Sequence, residues 1–164
     1  MQKLMAFIDG SVYSHSVCDH AAWVAERTGG AVEIFHVLGR REVAGSAADF
    51  SGRLDADERD TLLAELAELD EQKARYAQRR GRLVLQDARG RLEEAGVTQI
   101  ETRLRHGDIV ETVEEFEKEA DLTVIGKRGE AADFATLHLG SNLERVARAS
   151  RKPVLVASRA FQPI

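Results

Sequence analysis

The chain has 164 residues, 43% of them hydrophobic and 31% charged, with a formal net charge of −5. That length fits one domain with a substantial core, because domains cluster at roughly 100–150 residues and a chain of this size buries about 70% of its unfolded surface. The acidic balance argues against nucleic acid as the main partner, though it leaves room for a local basic patch, and one cysteine, Cys18, excludes an internal disulfide or a Cys-based zinc cluster.

Residues 4–8, LMAFI, read as a first strand ending at Asp9-Gly10-Ser11. The run is too short for a secretory signal and Asp9 closes it. No segment approaches the ~20 apolar residues of a membrane helix, so a cytoplasmic protein without a membrane partner is expected. Val17, Cys18, Ala21, Val24 and Ala25 then recur at helical period, and Gly29-Gly30 supply the stop. Residues 32–38, VEIFHVL, form a second strand whose near-continuous apolarity implies burial on both faces.

Residues 39–50 lack period and read as a loop. From 57 to 94 the pattern is helical, although Gly81 and Gly90 each cost about 1 kcal/mol relative to alanine. A continuous helix there would span about 57 Å, beyond the ~40 Å breadth of a domain this size. The helix must therefore either break near Gly81 or project beyond the sheet, and a break or kink there is the expected outcome. Leu83, Val84, Ala88 and Leu92 would then pack on the sheet, and Leu62, Leu66 and Leu69 would form a lid or partner surface. Leu62, Leu69, Tyr76 and Leu83 recur every seven residues.

Residues 99–105 suggest a third strand. Asp108 with Glu111 suggests a capping box opening a helix with Ile109, Val113, Phe116 and Ala120 on its inner face. Residues 121–125 form a fourth strand. Ser141 and Glu144 suggest a second capping box, on a helix with Leu143, Val146 and Ala147 inward, and Pro153 precedes a fifth strand at 154–157. Alternating β and α elements imply a parallel, doubly wound α/β sheet, with ligands at the carboxyl ends of its strands.

Gly126 and Gly129 follow the fourth strand, and Gly140-Ser141 open a helix. Glycines let backbone amides approach an anion, and a helix N-terminus adds donors and a favourable dipole. The spacing matches neither the Walker pattern nor the dinucleotide fingerprint. On spacing alone, a phosphate cradle and a set of turn glycines remain equally good readings.

Four stretches in combination are more specific: LMAFIDGSVYSHSVCDHAAWVA, VEIFHVL, HGDIVETVEEFEKEADLTVIGKRG and LGSNLERVARASRKPVLVAS. Together they resemble the universal stress protein family over everything except about residues 40–85, which stand as a helical insertion in a single 1–164 domain. The resemblance implies a Rossmann-like five-stranded parallel sheet of order 3-2-1-4-5 and binding of ATP, AMP or ADP, with magnesium. It places Asp9 near the adenosine, Val37 near the adenine, and Gly126, Gly129, Gly140 and Ser141 at the phosphates. Flanking Ile8, Ile125, Arg128 and Asn142 complete the expected set. It also implies a stress-response regulator rather than an enzyme, working through a homodimer joined by the last strand between Pro153 and Ser158, with a further protein partner. Ten residues separate Gly129 from Gly140 where the family pattern has nine, and Glu130 and Asp133 put carboxylates in that loop. A nucleotide-independent interaction module of the same fold is the alternative.

Other residues take plainer roles. His36, mid-strand, reads as a core histidine; His106, beside Gly107, is within reach of the pocket but has no partner in a readable motif, and His15, His20 and His138 show no metal-ligand spacing. Cys18 reads as a small buried hydrophobe. Ser11 and Ser14 are candidate caps for the first helix, Trp23 is expected partly buried, and Glu111, Glu114, Glu115, Glu117 and Glu119 are expected on a solvated face.

Overall fold

The computed structural model describes residues 2–39, 55–129 and 140–164. Its elements in chain order are β1 (Lys3–Ile8), α1 (Ser14–Thr28), β2 (Ala31–Leu38), α2 (Ala56–Glu94) and β3 (Ile100–His106). They continue with α3 (Ile109–Phe116), β4 (Leu122–Gly126), α4 (Ser141–Ala149) and β5 (Val154–Ala157). The strands form one sheet, ordered β3-β2-β1-β4-β5, with every pairing parallel. Most of the loop expected at 39–50 lies outside the described residues.

Parallel strands need crossovers, and the crossover helices bury both sheet faces, so β1 is apolar from Leu4 to Ile8. Leu4, Ala6 and Ile8 pack with Val17 and Ala21 of α1 and with Leu85 and Leu92 of α2. Met5 and Phe7 face the other way, onto Phe35, Val113 of α3, and Leu143 and Val146 of α4. The chain steps from β1 to β2 on one side and to β4 on the other. The β1/β4 boundary is thus the switch point at which this architecture opens a crevice.

α2 runs unbroken for 39 residues, about 58 Å at 1.5 Å per residue. The expected break at Gly81 is absent, for a steric reason. A Cβ there would stand 2.7 Å from Leu104 Cδ1 and 2.9 Å from His36 Cδ2. Gly81 therefore lets the helix backbone lie directly on β2 and β3. Beyond it Leu85, Ala88 and Leu92 are buried and Val84 is partly buried, whereas Leu83, expected inside, is 66% exposed. The helix phase is set by Gly81 and not by the seven-residue repeat.

His36 is a core residue. Its Nδ1–H donates to the Ile8 carbonyl at 2.9 Å, which assigns the proton to that nitrogen. Trp23 is partly buried, with the Arg27 guanidinium 4.0 Å over its ring. Glu117 departs from the expected solvated face. It is buried and accepts from the Ser150 hydroxyl at 3.1 Å and the Arg151 amide at 3.0 Å, stapling the end of α3 to the α4–β5 turn. Ala147 of α4 is likewise exposed and not inward.

Candidate functional site

The turn after β1 is built by its own polar groups. Gly10 takes φ 79°, a left-handed conformation that turns the chain sharply into α1. The Ser14 hydroxyl accepts from the amides of Asp9 at 3.3 Å and Gly10 at 3.0 Å. The Ser11 amide donates to Asp9 Oδ1 at 2.9 Å, and the Ser11 hydroxyl accepts from the Tyr13 amide at 3.3 Å. Neither serine is the N-cap of α1, which is Tyr13. They fix the turn instead, and with it one oxygen of Asp9.

The other oxygen faces the end of β4. A Cβ on Gly129 would lie 2.9 Å from Asp9 Oδ2, so a side chain there would displace the Asp9 carboxylate. The Gly140 amide donates to the Lys127 carbonyl at 3.1 Å, and a Cβ on Gly140 would stand 3.1 Å from Arg128 Cα. The start of α4 is thereby pressed against the 127–129 backbone. Gly140 is the N-cap and no side chain caps the helix, so the capping box expected from Ser141 and Glu144 does not form. Glu144 instead pairs with Arg148 at 2.7 Å. The first amides of a helix have no acceptor within it, and here those of Ser141 and Asn142 sit on an exposed turn.

The structure thus brings together Asp9, Gly129, Gly140 and the first turn of α4. Ile8 and Ile125 are buried at the strand ends behind them, paired with His36 and Phe7 respectively, and Val37 is half-buried on β2. Gly126 has a different reason to be glycine, because its Cβ would meet Tyr13 Cβ at 2.9 Å. Tyr13, absent from the sequence expectations, is buried and wedges the start of α1 onto the end of β4. Arg128 is partly buried in the same loop. Glu130, Asp133 and the rest of 130–139 lie outside the described residues.

Arg80 also escaped sequence reading. From α2 it reaches over the β1–α1 turn, so that a Cβ on Gly10 would lie 3.0 Å from its Nη2. No pattern in the sequence marks it, since its approach depends on the unbroken helix. Arg80 lines a cavity of about 600 Å³ with Val12, His15, Leu83, Val84 and Asp87, on the α1/α2 side of the turn, and neither Asp9 nor Gly129 is in its lining. His15 Nε2 and Asp87 Oδ2 meet there at 3.0 Å. Cys18 lies at the cavity's base, where burial pushes its thiol up to about 12. It stays protonated at neutral pH and is no nucleophile.

Asp108 caps α3, accepting from the Val110 amide at 2.8 Å, and binds Arg145 of α4 at 2.6 Å. Burial pushes its pKa up, but the bonds from Arg145, Val110 and Glu111 and the Arg145 charge outweigh this, and the pKa falls below 3.8. This tether holds α3 and α4 together below the site.

A five-stranded, all-parallel sheet of order 3-2-1-4-5 with helices between its strands defines a Rossmann-like α/β protein. Comparison with known proteins makes this specific. The chain belongs to the universal stress protein family, whose model matches residues 1–158. It is 32% identical over 165 residues to Universal stress protein Slr1230 of Synechocystis sp. (strain ATCC 27184 / PCC 6803 / Kazusa). That alignment takes in 100% of this chain and 58% of the relative, so the chain spans little more than half the length of the curated protein it matches. Among solved structures it is similar to hypothetical protein MJ0577, with TM-score 0.75 and 20% identity over 98% of each chain. It is also similar to a universal stress protein in complex with cAMP, with TM-score 0.61 and 23% identity, covering 97% of this chain and 98% of that one. A universal stress protein from Archaeoglobus fulgidus in complex with dAMP gives TM-score 0.55 at 19% identity over 96% and 97% of the two chains. At these identities the solved structures carry the fold alone.

Proposed function

We propose that this chain binds an adenine nucleotide at the carboxyl ends of β1 and β4 and acts as a nucleotide-responsive regulator, not as an enzyme. The observation that carries the reading is the meeting of Asp9 Oδ2 with Gly129, a place where a Cβ would come within 2.9 Å. Gly129 thus stands directly against the Asp9 carboxylate across the switch point, where a larger side chain would displace that carboxylate. The first turn of α4 stands beside them with no capping side chain. Asp9 would hold the nucleoside and Val37 would lie near the base. Gly126, Arg128, Gly129, Gly140, Ser141 and Asn142 would surround the phosphates, over Ile8 and Ile125. Magnesium would arrive with the triphosphate, since among the described residues no group of three acidic, histidine or cysteine side chains is placed to hold a metal. The cAMP and dAMP complexes of structurally similar proteins support an adenine ligand.

The same reading makes the protein a homodimer through β5. That strand ends the sheet, its outer edge carries no partner among the described strands, and Val156 is exposed there. The opposite edge, β3, carries Glu101, Arg103 and Arg105, charges that blunt pairing. An apolar edge beside a charged one argues for self-pairing at β5. A nucleotide-independent interaction module is the second reading, favoured by the exposed leucines on α2.

Titration calorimetry with Mg-ATP and AMP separates the two. The wild type is expected to bind, and Asp9→Ala to weaken binding by more than about 1 kcal/mol, the scale of a hydrogen bond to a charged group. No heat at millimolar nucleotide would overturn the nucleotide reading and leave the interaction module. Sedimentation tests the dimer independently, since a species near 18.1 kDa at micromolar concentration would exclude it.

A further inference from the structure

The first half of α2 carries an apolar stripe that is exposed over most of its length. Leu69, Tyr76 and Leu83 are 59%, 62% and 66% exposed, Leu63 is exposed as well, and Leu62 and Leu66 are only partly buried. Leu62, Leu69, Tyr76 and Leu83 share one seam at a seven-residue period, the spacing at which two helices pack along their length. At its far end the seam meets exposed Val12, and Val12 and Leu83 line the same cavity. The apolar surface therefore continues from the projecting helix onto the body of the domain.

Charge identifies the occupant. Residues 55–71 contain eight carboxylates and one arginine, whereas residues 72–86 contain Lys73, Arg75, Arg79, Arg80 and Arg82 and no carboxylate. A helix acidic in one half and basic in the other is complementary to itself when reversed, and repels itself when parallel. We infer that the exposed face of α2 is a second self-association surface, on which α2 of another copy lies antiparallel about a two-fold axis between Leu69 and Tyr76. In that register Leu69 comes level with Tyr76 of the second copy, and Leu62 with its Leu83. Glu65 comes level with Arg80 of the second copy and next to its Arg79, and symmetry repeats the arrangement. Arg80 interrupts the seam where the second copy's Glu65 also arrives, so the interruption carries a matching charge. The acidic start of the second copy's helix then runs along the cavity edged by Val12, Arg80 and Leu83. This surface is distinct from the β5 edge and independent of nucleotide.

Disulfide trapping tests the arrangement. Leu62→Cys and Leu83→Cys are made as separate full-length proteins, each also in a Val156→Pro background so that the fate of β5 pairing does not affect the result. Native Cys18 is buried and contributes no background. Mixed and oxidised, the two proteins should give the Leu62→Cys/Leu83→Cys heterodimer at least tenfold over either homodimer. Homodimers in equal or greater yield would mean parallel packing, and no cross-link would mean that copies do not meet here. Either overturns the inference. Glu65→Arg or Arg79→Glu alone should lower the heterodimer yield several-fold, and the two together in both proteins should restore it. Failure of that rescue, with unchanged melting, would show that charge does not set the register.

Discussion

From Gly81 onward α2 lies on β2 and β3 and buries Leu85, Ala88 and Leu92, while from Ala56 to Tyr76 the same helix buries none of its residues. The two halves share a backbone but depend on different physics. The packed half uses small residues, Gly81 and Ala88, to bring a helix close to a sheet, and Arg91 grips Asp19 of α1 through two bonds of 2.7 and 2.8 Å. The projecting half stands on local terms: the Asp55 cap accepting from the Glu58 amide at 2.8 Å, the Glu71–Arg75 pair one turn apart, and a run of strong helix formers. A helix thus extends past a domain when propensity and capping replace burial, and apolar residues left on it point to another surface.

The contrast is broken most directly by removing a side chain from the packed half. Leu92→Ala should cost about 2–5 kcal/mol in chemical denaturation, because Leu92 is fully buried. Gly81→Val should cost about 1–3 kcal/mol, the range for overpacking, since Leu104 and His36 must move. Asp19→Asn should cost about 1 kcal/mol through the partly exposed Arg91 pair. Leu69→Asp in the projecting half should stay within about 0.5 kcal/mol in the monomer, as for other surface changes. A loss of several kcal/mol at Leu69 would mean that the halves do not differ.

The smallest effect is acid-dependent and lies away from α2. The Asp108 pKa is depressed in the folded chain, so its stabilising contribution is complete above 3.8 and fades as pH falls through the lower folded value. Arg145→Ala removes one of the causes. The stability difference between wild type and Arg145→Ala should therefore shrink on acidification from pH 5 towards pH 2, as followed by thermal melting. A difference that grows with acid would contradict the assignment.

The sheet was legible in the sequence because alternating apolar runs and amphipathic helices leave a parallel α/β order as the consistent reading. The strand order and the site residues came from resemblance, since spacing alone left Gly126, Gly129 and Gly140 as either cradle or turn. What stayed hidden depends on approach in space. Gly81 looked like a helix breaker because sequence shows its cost and not the Leu104 and His36 side chains beneath it. Leu83 fell on a clear seven-residue repeat, yet that repeat faces outward. Glu117 looked solvated until the α4–β5 turn supplied its donors, and Tyr13 and Arg80 gain their places only from neighbours distant in sequence.

The most direct measurement of the central claim is calorimetric titration of Mg-ATP into Gly129→Val beside the wild type. Gly129 does not have a positive φ, so valine adds no left-handed strain and acts through the contact with Asp9 and the space beside it. Gly129→Val should melt within about 1 kcal/mol of the wild type, the scale of ordinary substitutions, and lose at least tenfold in affinity, about 1.4 kcal/mol. A folded Gly129→Val protein that binds nucleotide as tightly as the wild type would contradict that claim.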